Sequence, residues 1–258
     1  MKQSKPHTEL CTHSHTSIHY RNESLVDDIL GKKTFTQVLF SQILDRQASD
    51  EDLKVLDAVL ISIMEHGLTP SAISTRLIYM SAPENLQGGV AAGLLGVGSQ
   101  FIGTVENSAR NLKLLIEAPE GLEQAAADMA RQHKEQRLPV PGFGQHLHKP
   151  DDPRAAKLLE IGRAHPGFEG KYLDALLALS HAVDAAYGKH ITINATGAVG
   201  ALLGELAVPP ELMRGFAVIS RAAGLVAHIA EEQRIPTARY VWDLVDKDIP
   251  YQGEAQAD

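Results

Sequence analysis

The sequence predicts an all-α fold, and three observations carry that prediction. Alanine and leucine are abundant, while aromatic residues make up only 5% of the 258 positions. Apolar residues recur at the three-and-four spacing of a helix face along nearly the whole chain. Strand-like alternation of apolar and polar residues is nearly absent. A chain of this length buries a sizeable core as one large domain, or as one domain with a smaller lobe, without disulfides or metal. The expected organisation is a flexible N-terminus over residues 1–15, a helical domain over 16–251 whose segment 138–220 is the candidate small lobe, and a disordered tail over 252–258.

Each element has a local reason. Thr34 to Leu44 has helical spacing, and Ser49-Asp50-Glu51-Asp52 supplies an N-cap and an acidic first turn, favoured by the helix dipole, for a helix reaching Glu65. His66-Gly67 ends it at a glycine stop, and Pro70-Ser71 restarts a helix through Tyr79. Leu86 to Leu95 reads as a buried helix, apolar all round, whose small residues permit close backbone approach. Helices over Val105 to Glu117 and Gly121 to Arg137 follow. Leu138-Pro139-Val140-Pro141-Gly142-Phe143-Gly144 then breaks the pattern, because two prolines and two glycines in seven residues cannot continue a helix. Beyond this loop the spacing predicts helices over Arg154 to Ala164 and Tyr172 to Tyr187, the latter ended by Gly188. Ile191 to Asn194 is the one β-like stretch and leads into a helix over Gly197 to Leu206. Pro209-Pro210-Glu211 opens a helix, and Ala217 to Gln233 is a long one interrupted at Gly224.

Composition narrows the function classes. A net charge of -8 with no block of Lys or Arg argues against nucleic acid as a partner. The single cysteine, Cys11, cannot form an internal disulfide and fits a reducing compartment, so a cytoplasmic location is expected. The N-terminal stretch has no apolar core of a leader peptide, and no run approaches the roughly 18 uninterrupted apolar residues of a membrane span, so no membrane partner is expected. His13, His15 and His19 cluster near Cys11, but a flexible terminus fixes no ligand geometry, and no metal is expected. Gly96-x-Gly98 with Gly103 has the wrong spacing, and the wrong preceding element, for a dinucleotide loop.

The segment Gly142-Phe143-Gly144-Gln145-His146-Leu147-His148-Lys149-Pro150-Asp151-Asp152-Pro153-Arg154 gathers imidazoles and cations on a proline-bounded turn that feeds a helix. Such a turn either presents them to an anionic ligand or is a polar surface turn with Asp152 as N-cap. The segment resembles the citrate synthase signature Gly-Phe-Gly-His-x-x-x-Lys-x-x-Asp-Pro-Arg without a gap. Further motifs follow that family's order. Glu65-His66-Gly67 with Ser71-Ala72 is similar to its histidine turn. Gly98-Ser99-Gln100-Phe101-Ile102-Gly103 resembles the Gly-Asp-Arg-Phe-Gly-Gly turn of the citryl-CoA lyase module in ATP-citrate lyase. Ile193-Asn194-Ala195-Thr196-Gly197 aligns with Asn-Val-Asp-Gly, Ser220-Arg221-Ala222-Ala223-Gly224 with Ser/Gly-Arg-x-x-Gly, and Arg239 to Asp243 with the lyase module's closing Arg-x-x-Trp-Asp.

This resemblance to the short, lyase-like form of the citrate synthase superfamily implies a helical fold with a large and a small lobe, and a homodimer. It also implies cleavage or formation of the bond between a 2-oxo acid and an acyl-CoA. Arg154, Arg221 and Arg239 match the family's substrate-carboxylate arginines, with Arg239 acting across the dimer interface, and a guanidinium fork suits a carboxylate. Phe101 and Asn194 fall on the family's substrate side, and His148 and Lys149 on the coenzyme A side. His66 matches the histidine that contacts the oxo or hydroxyl oxygen. Gln145 stands where the family has its loop histidine and can hydrogen-bond but not titrate; His146 or His148 is the candidate replacement. Thr196 replaces the catalytic aspartate, and Glu205, nine residues on, is a poor substitute. The resemblance therefore points to a citryl-CoA lyase-type enzyme with a coenzyme A thioester as substrate and no covalently bound cofactor. A condensing acyltransferase, and a non-catalytic citrate or CoA-ester binder, are the alternatives.

Overall fold

The computed structural model describes residues 5–145 and 147–253. Within the stretch read as a flexible terminus, β1 (Cys11–His13) pairs antiparallel with β2 (Ile18–Tyr20), which pairs with β3 (Glu23–Ser24), and a π-helical turn over Leu25–Ile29 closes this small sheet. The remaining regular structure among the described residues is α-helical, in agreement with the predicted class.

The first helices form where their caps dictate. In α1 (Phe35–Leu44) Thr34 and Gln37 make a capping box, as do Ser49 and Asp52 at the head of α2 (Asp50–Met64). Helix α3 (Pro70–Ser81) starts on Thr69 and Pro70. Asn85 caps α4 (Leu86–Leu95), which packs on α3 through a glycine face: a Cβ on Gly93 would lie 2.0 Å from Thr75 Oγ1. Only Gly89 and Gly93 of α4 are buried, and Leu95 is 88% exposed, so the expectation of an all-round buried helix is corrected: the glycine side is inside and the leucine side is not.

Helices α5 (Thr104–Ile116), α7 (Pro153–Arg163) and α8 (Lys171–Tyr187) surround α9 (Ala195–Glu205), in which nine residues from Ala195 to Gly204 are buried, and α6 (Leu122–Glu135) packs outside them on α8. One continuous apolar cluster runs from Phe40 to Ala217, so segment 138–220 shares its core with the rest of the chain. Glu205 accepts hydrogen bonds from Gly170, Tyr172 and Leu173 N–H and so caps α8.

Helix α10 (Pro210–Arg234) is continuous through Gly224, contrary to the expected interruption. A Cβ there would lie 2.1 Å from the Met64 carbonyl oxygen, so the glycine serves close packing against the end of α2 and not a break. By length and hydropathy α10 is the one helix among the described residues long enough to cross a membrane, yet half of that stretch is buried inside the protein. The last helix, α11 (Ala238–Asp248), was not legible as one. Thr237 makes no local side-chain cap; instead Glu232 of α10 accepts from Thr237 and Ala238 N–H.

Candidate active site

Three segments converge, one of them α10. The first is the turn between α2 and α3. Glu65 leaves the helix in an extended conformation, and its Oε1 accepts from the backbone N–H of His66 at 2.9 Å and of Gly67 at 2.6 Å. Gly67 turns the chain at φ +73°, a conformation that favours glycine. His66 is thereby held with its ring centroid 5.5 Å from that of His148. Burial pushes the His66 pKa down, and Arg154, then His148, and more weakly Arg221 push the same way, with Asp152 opposing. The imidazole is therefore neutral near pH 7, a donor or acceptor and not a fixed cation.

The second segment is the glycine loop. Gly142 and Gly144 have φ of +88° and +84°. Gly142 lies against Gly197 of α9, where a Cβ on Gly197 would meet the Gly142 carbonyl oxygen at 2.5 Å. Gly144 N–H donates to the Thr192 carbonyl, and Asn194 N–H to that of Gly142, so the β-like stretch Ile191 to Asn194 forms one bridge, Phe143 to Ile193, against the loop. Asp152, 0% exposed, accepts from Arg154 N–H, Nε and Nη2 and from Ala195 N–H. Burial alone would raise its pKa; the hydrogen bonds and charge of Arg154 outweigh this and keep the carboxylate ionised. One acidic side chain thus aims Arg154 and ties together the N-termini of α7 and α9.

The third is α10 itself. Arg221 is 5% exposed, its Nη1 has no hydrogen-bond partner, and the nearest carboxylate oxygen, Glu65 Oε2, is 3.9 Å away. Burial lowers the Arg221 pKa and the neighbouring Arg154 charge adds to that, with Glu65 opposing. Two guanidiniums that repel each other around a neutral imidazole make a place for an anion.

At the head of α9, Asn194 Oδ1 accepts from Thr196 N–H and Gly197 N–H and lies 2.7 Å from the Thr196 hydroxyl, while Asn194 Nδ2 donates to the Gly144 carbonyl. The Thr196 and Thr104 hydroxyls are 2.8 Å apart, and Thr104 Oγ1 is also 2.8 Å from the Phe101 carbonyl oxygen. Asn194, Thr196 and the Phe101 turn are therefore one hydrogen-bonded unit, with the Phe101 ring exposed. Gln145 uses its Oε1 to accept from Leu147 N–H. Lys149 is exposed on the same loop, and His146 lies outside the described residues. Arg239 does not reach this place within the chain; it pairs with Asp243 and stacks over Trp242 on α11.

Sequence reasoning gave no role to Glu65 or to His228, whose Nε2 is 2.9 Å from Glu65 Oε2. The available signal was spacing: His228 follows Arg221 by two helical turns and shares its face of α10.

Comparison with known proteins agrees with this architecture. The family described as "Citrate synthase, C-terminal domain" matches residues 9–240. The citryl-CoA lyase of Hydrogenobacter thermophilus superimposes with a TM-score of 0.85 at 26% identity, covering 99% of this chain and 97% of that one. The ATP citrate lyase of Methanothrix soehngenii, solved with citrate and coenzyme A, shares the fold with a TM-score of 0.80 at 20% identity, over 99% of this chain and 43% of that one. The probable ATP-citrate synthase subunit 1 of Schizosaccharomyces pombe is 25% identical over 93% of this chain, which spans 41% of that protein's length. With a match over most of its length, and with the arginine and histidine turns in place, the chain belongs to the citrate synthase family of enzymes.

Proposed function

We propose that the protein is a citryl-CoA lyase-type enzyme. It cleaves, or forms, citryl-CoA or a related 3-hydroxy-3-carboxyacyl-CoA, with an acyl-CoA and a 2-oxo acid such as oxaloacetate on the other side of the reaction. The observation that carries this reading is the buried, incompletely partnered Arg221 facing Arg154 and His66. A substrate carboxylate satisfies the guanidiniums, and His66 then meets the oxygen that alternates between hydroxyl and ketone. His148 and Lys149, on the loop beside His66, are placed for the coenzyme A portion. Phe101 matches the phenylalanine of the lyase module's turn, and this favours the lyase reaction over condensation by a citrate synthase-like acyltransferase.

The homodimer belongs to the same reading. Arg239 then reaches the site of a second copy, and the exposed Leu95, Tyr240 and Trp242 gain a cover.

A second reading, a citrate or CoA-ester binder without turnover, draws on the engagement of Thr196 and Gln145 in the protein's own hydrogen bonds. Mass spectrometry separates the readings. Incubation with citryl-CoA is expected to yield acetyl-CoA and oxaloacetate. Product from acetyl-CoA plus oxaloacetate alone favours the acyltransferase, and no product from either mixture favours the binder.

A further inference from the structure

We propose that Glu65 is the proton-transfer residue of this site, with His228 and Arg76 as the residues that position it. The assignment rests on the carbon–carbon cleavage proposed above. That chemistry needs a group to take the proton of a tertiary alcohol and a group to deliver one to the acyl α-carbon. Gln145, Phe101 and Thr196 supply neither near neutral pH. Of the carboxylates, Asp152 is fully buried with both oxygens engaged by Arg154 and Ala195, and Glu205 is occupied at the head of α8.

Glu65 is differently placed. Its side chain is 45% exposed, it adjoins His66 in sequence, and its Oε2 is the carboxylate oxygen beside the open Nη1 of Arg221. Oε1 is occupied by two backbone N–H groups. Oε2 has His228 on one side, leaving a lone pair towards Arg221, where the substrate would lie.

The side chain is fixed from behind by a row of buried groups. Arg76 Nε donates to His228 Nδ1 at 2.9 Å. That contact makes Nδ1 the acceptor, so the imidazole proton sits on Nε2, which lies 2.9 Å from Glu65 Oε2 as a close polar contact without hydrogen-bond alignment. Arg76 is in turn held by Glu232 at 2.8 Å, by Thr237 at 3.1 Å and by Glu231. Gly224 allows α10 to come close enough, since a Cβ there would sit 3.3 Å from Glu65 Oε2. The carboxylate is thus held at Oε1 by the backbone of its own turn and backed at Oε2 by His228 of α10, itself supported by Arg76 of α3.

In the cleavage direction the Glu65 carboxylate accepts the hydroxyl proton. The bond between the carbinol carbon and the acyl α-carbon breaks. Its electron pair passes to the acyl-CoA as an enolate, and the carbinol oxygen becomes the ketone of the 2-oxo acid. The Glu65 carboxylic acid then returns the proton to the α-carbon. One proton moves from oxygen to carbon and the carboxylate is regenerated.

The test uses the full chain with citryl-CoA as substrate, and citrate binding as a separate readout. Glu65→Gln is expected to lower kcat by about 10²–10⁴-fold with KM changed by less than about threefold, and to keep the thermal shift given by citrate. Glu65→Asp recovers part of the rate. Glu65→Ala is expected to regain turnover as formate is added, a response that loss of a merely structural carboxylate does not give. Wild-type cleavage with Glu65→Gln within about threefold of it, or with Glu65→Ala indifferent to formate, overturns the role of Glu65 and leaves the lyase reading standing. A wild-type protein that does not cleave citryl-CoA overturns both.

Discussion

Arg221 is a cation that folding leaves short of partners. A buried guanidinium ordinarily has its donors engaged, and the absence of a partner at Nη1 is costly unless a ligand supplies one. This was legible in the sequence, because an arginine within Val218-Ile219-Ser220-Arg221-Ala222-Ala223 has to be buried on an apolar face. Arg154 was legible as a cation, while its aim depends on Asp152. Glu65 was not legible, because its partners His228 and Arg221 lie far along the chain and meet it only through the packing at Gly224. Thr196 sits at the positive end of α9, where the resemblance drawn from the sequence implies an acid. Thr196→Asp is therefore expected to accelerate exchange of the acetyl-CoA α-protons in heavy water by about 10²-fold, the low side of general acid–base assistance. NMR of acetyl-CoA deuteration reads this directly; a slower variant would show that the hydroxyl itself serves the reaction.

Helices with local caps were readable; α8, capped from a distance by Glu205, was still legible from its spacing, whereas α11 was not. Thr34, Ser49, Pro70 and Asp152 announce α1, α2, α3 and α7 in the sequence. Helix α11 depends on Glu232 of α10, a tertiary contact that no local pattern shows. Gly224 misled because a glycine in a helix marks either a break or a close contact, and spacing does not distinguish them. The site loop is likewise tied to α8 across the fold. His190 Nδ1 lies 2.8 Å from Asp184 of α8, and its Nε2 lies 3.0 Å from Asp151 of the loop. The hydrogen bond to Asp184, then that to Asp151, raises the His190 pKa above 6.5. A raised folded-state pKa gives stability that is fully present below the unfolded value and is lost as pH rises through the folded one. His66, with a lowered pKa, contributes with the opposite sign, so the comparison must be with a variant at His190 alone. His190→Gln is expected to flatten the fall in melting temperature on going from mildly acidic to mildly alkaline pH. A variant with the wild-type profile would show that the loop tie carries no titrating stability.

At the scale of the whole molecule, the all-α class and the order of the helices follow from periodicity, and the site follows from bringing the α2–α3 turn, the glycine loop and α10 together. The outer surface is less complete. Leu95 on α4, and Tyr240, Trp242 and Ile249 on α11, are large apolar side chains left open, and Arg239 stands among the last group. In the proposed homodimer a two-fold partner would cover such faces and carry Arg239 to a second site. Sedimentation at about micromolar concentration is expected to show a dimer, and a folded monomer that still binds citrate would contradict the shared site. The central claim is that Arg221 and Arg154 hold a substrate carboxylate. Calorimetric titration of citrate into the wild-type protein and into Arg221→Ala tests it most directly. A charge-assisted pair is worth about 1.5–3 kcal/mol, so the variant should bind about 10- to 100-fold more weakly than a saturably binding wild type. Equal affinity in the two proteins, or no saturable heat from the wild type, would contradict it.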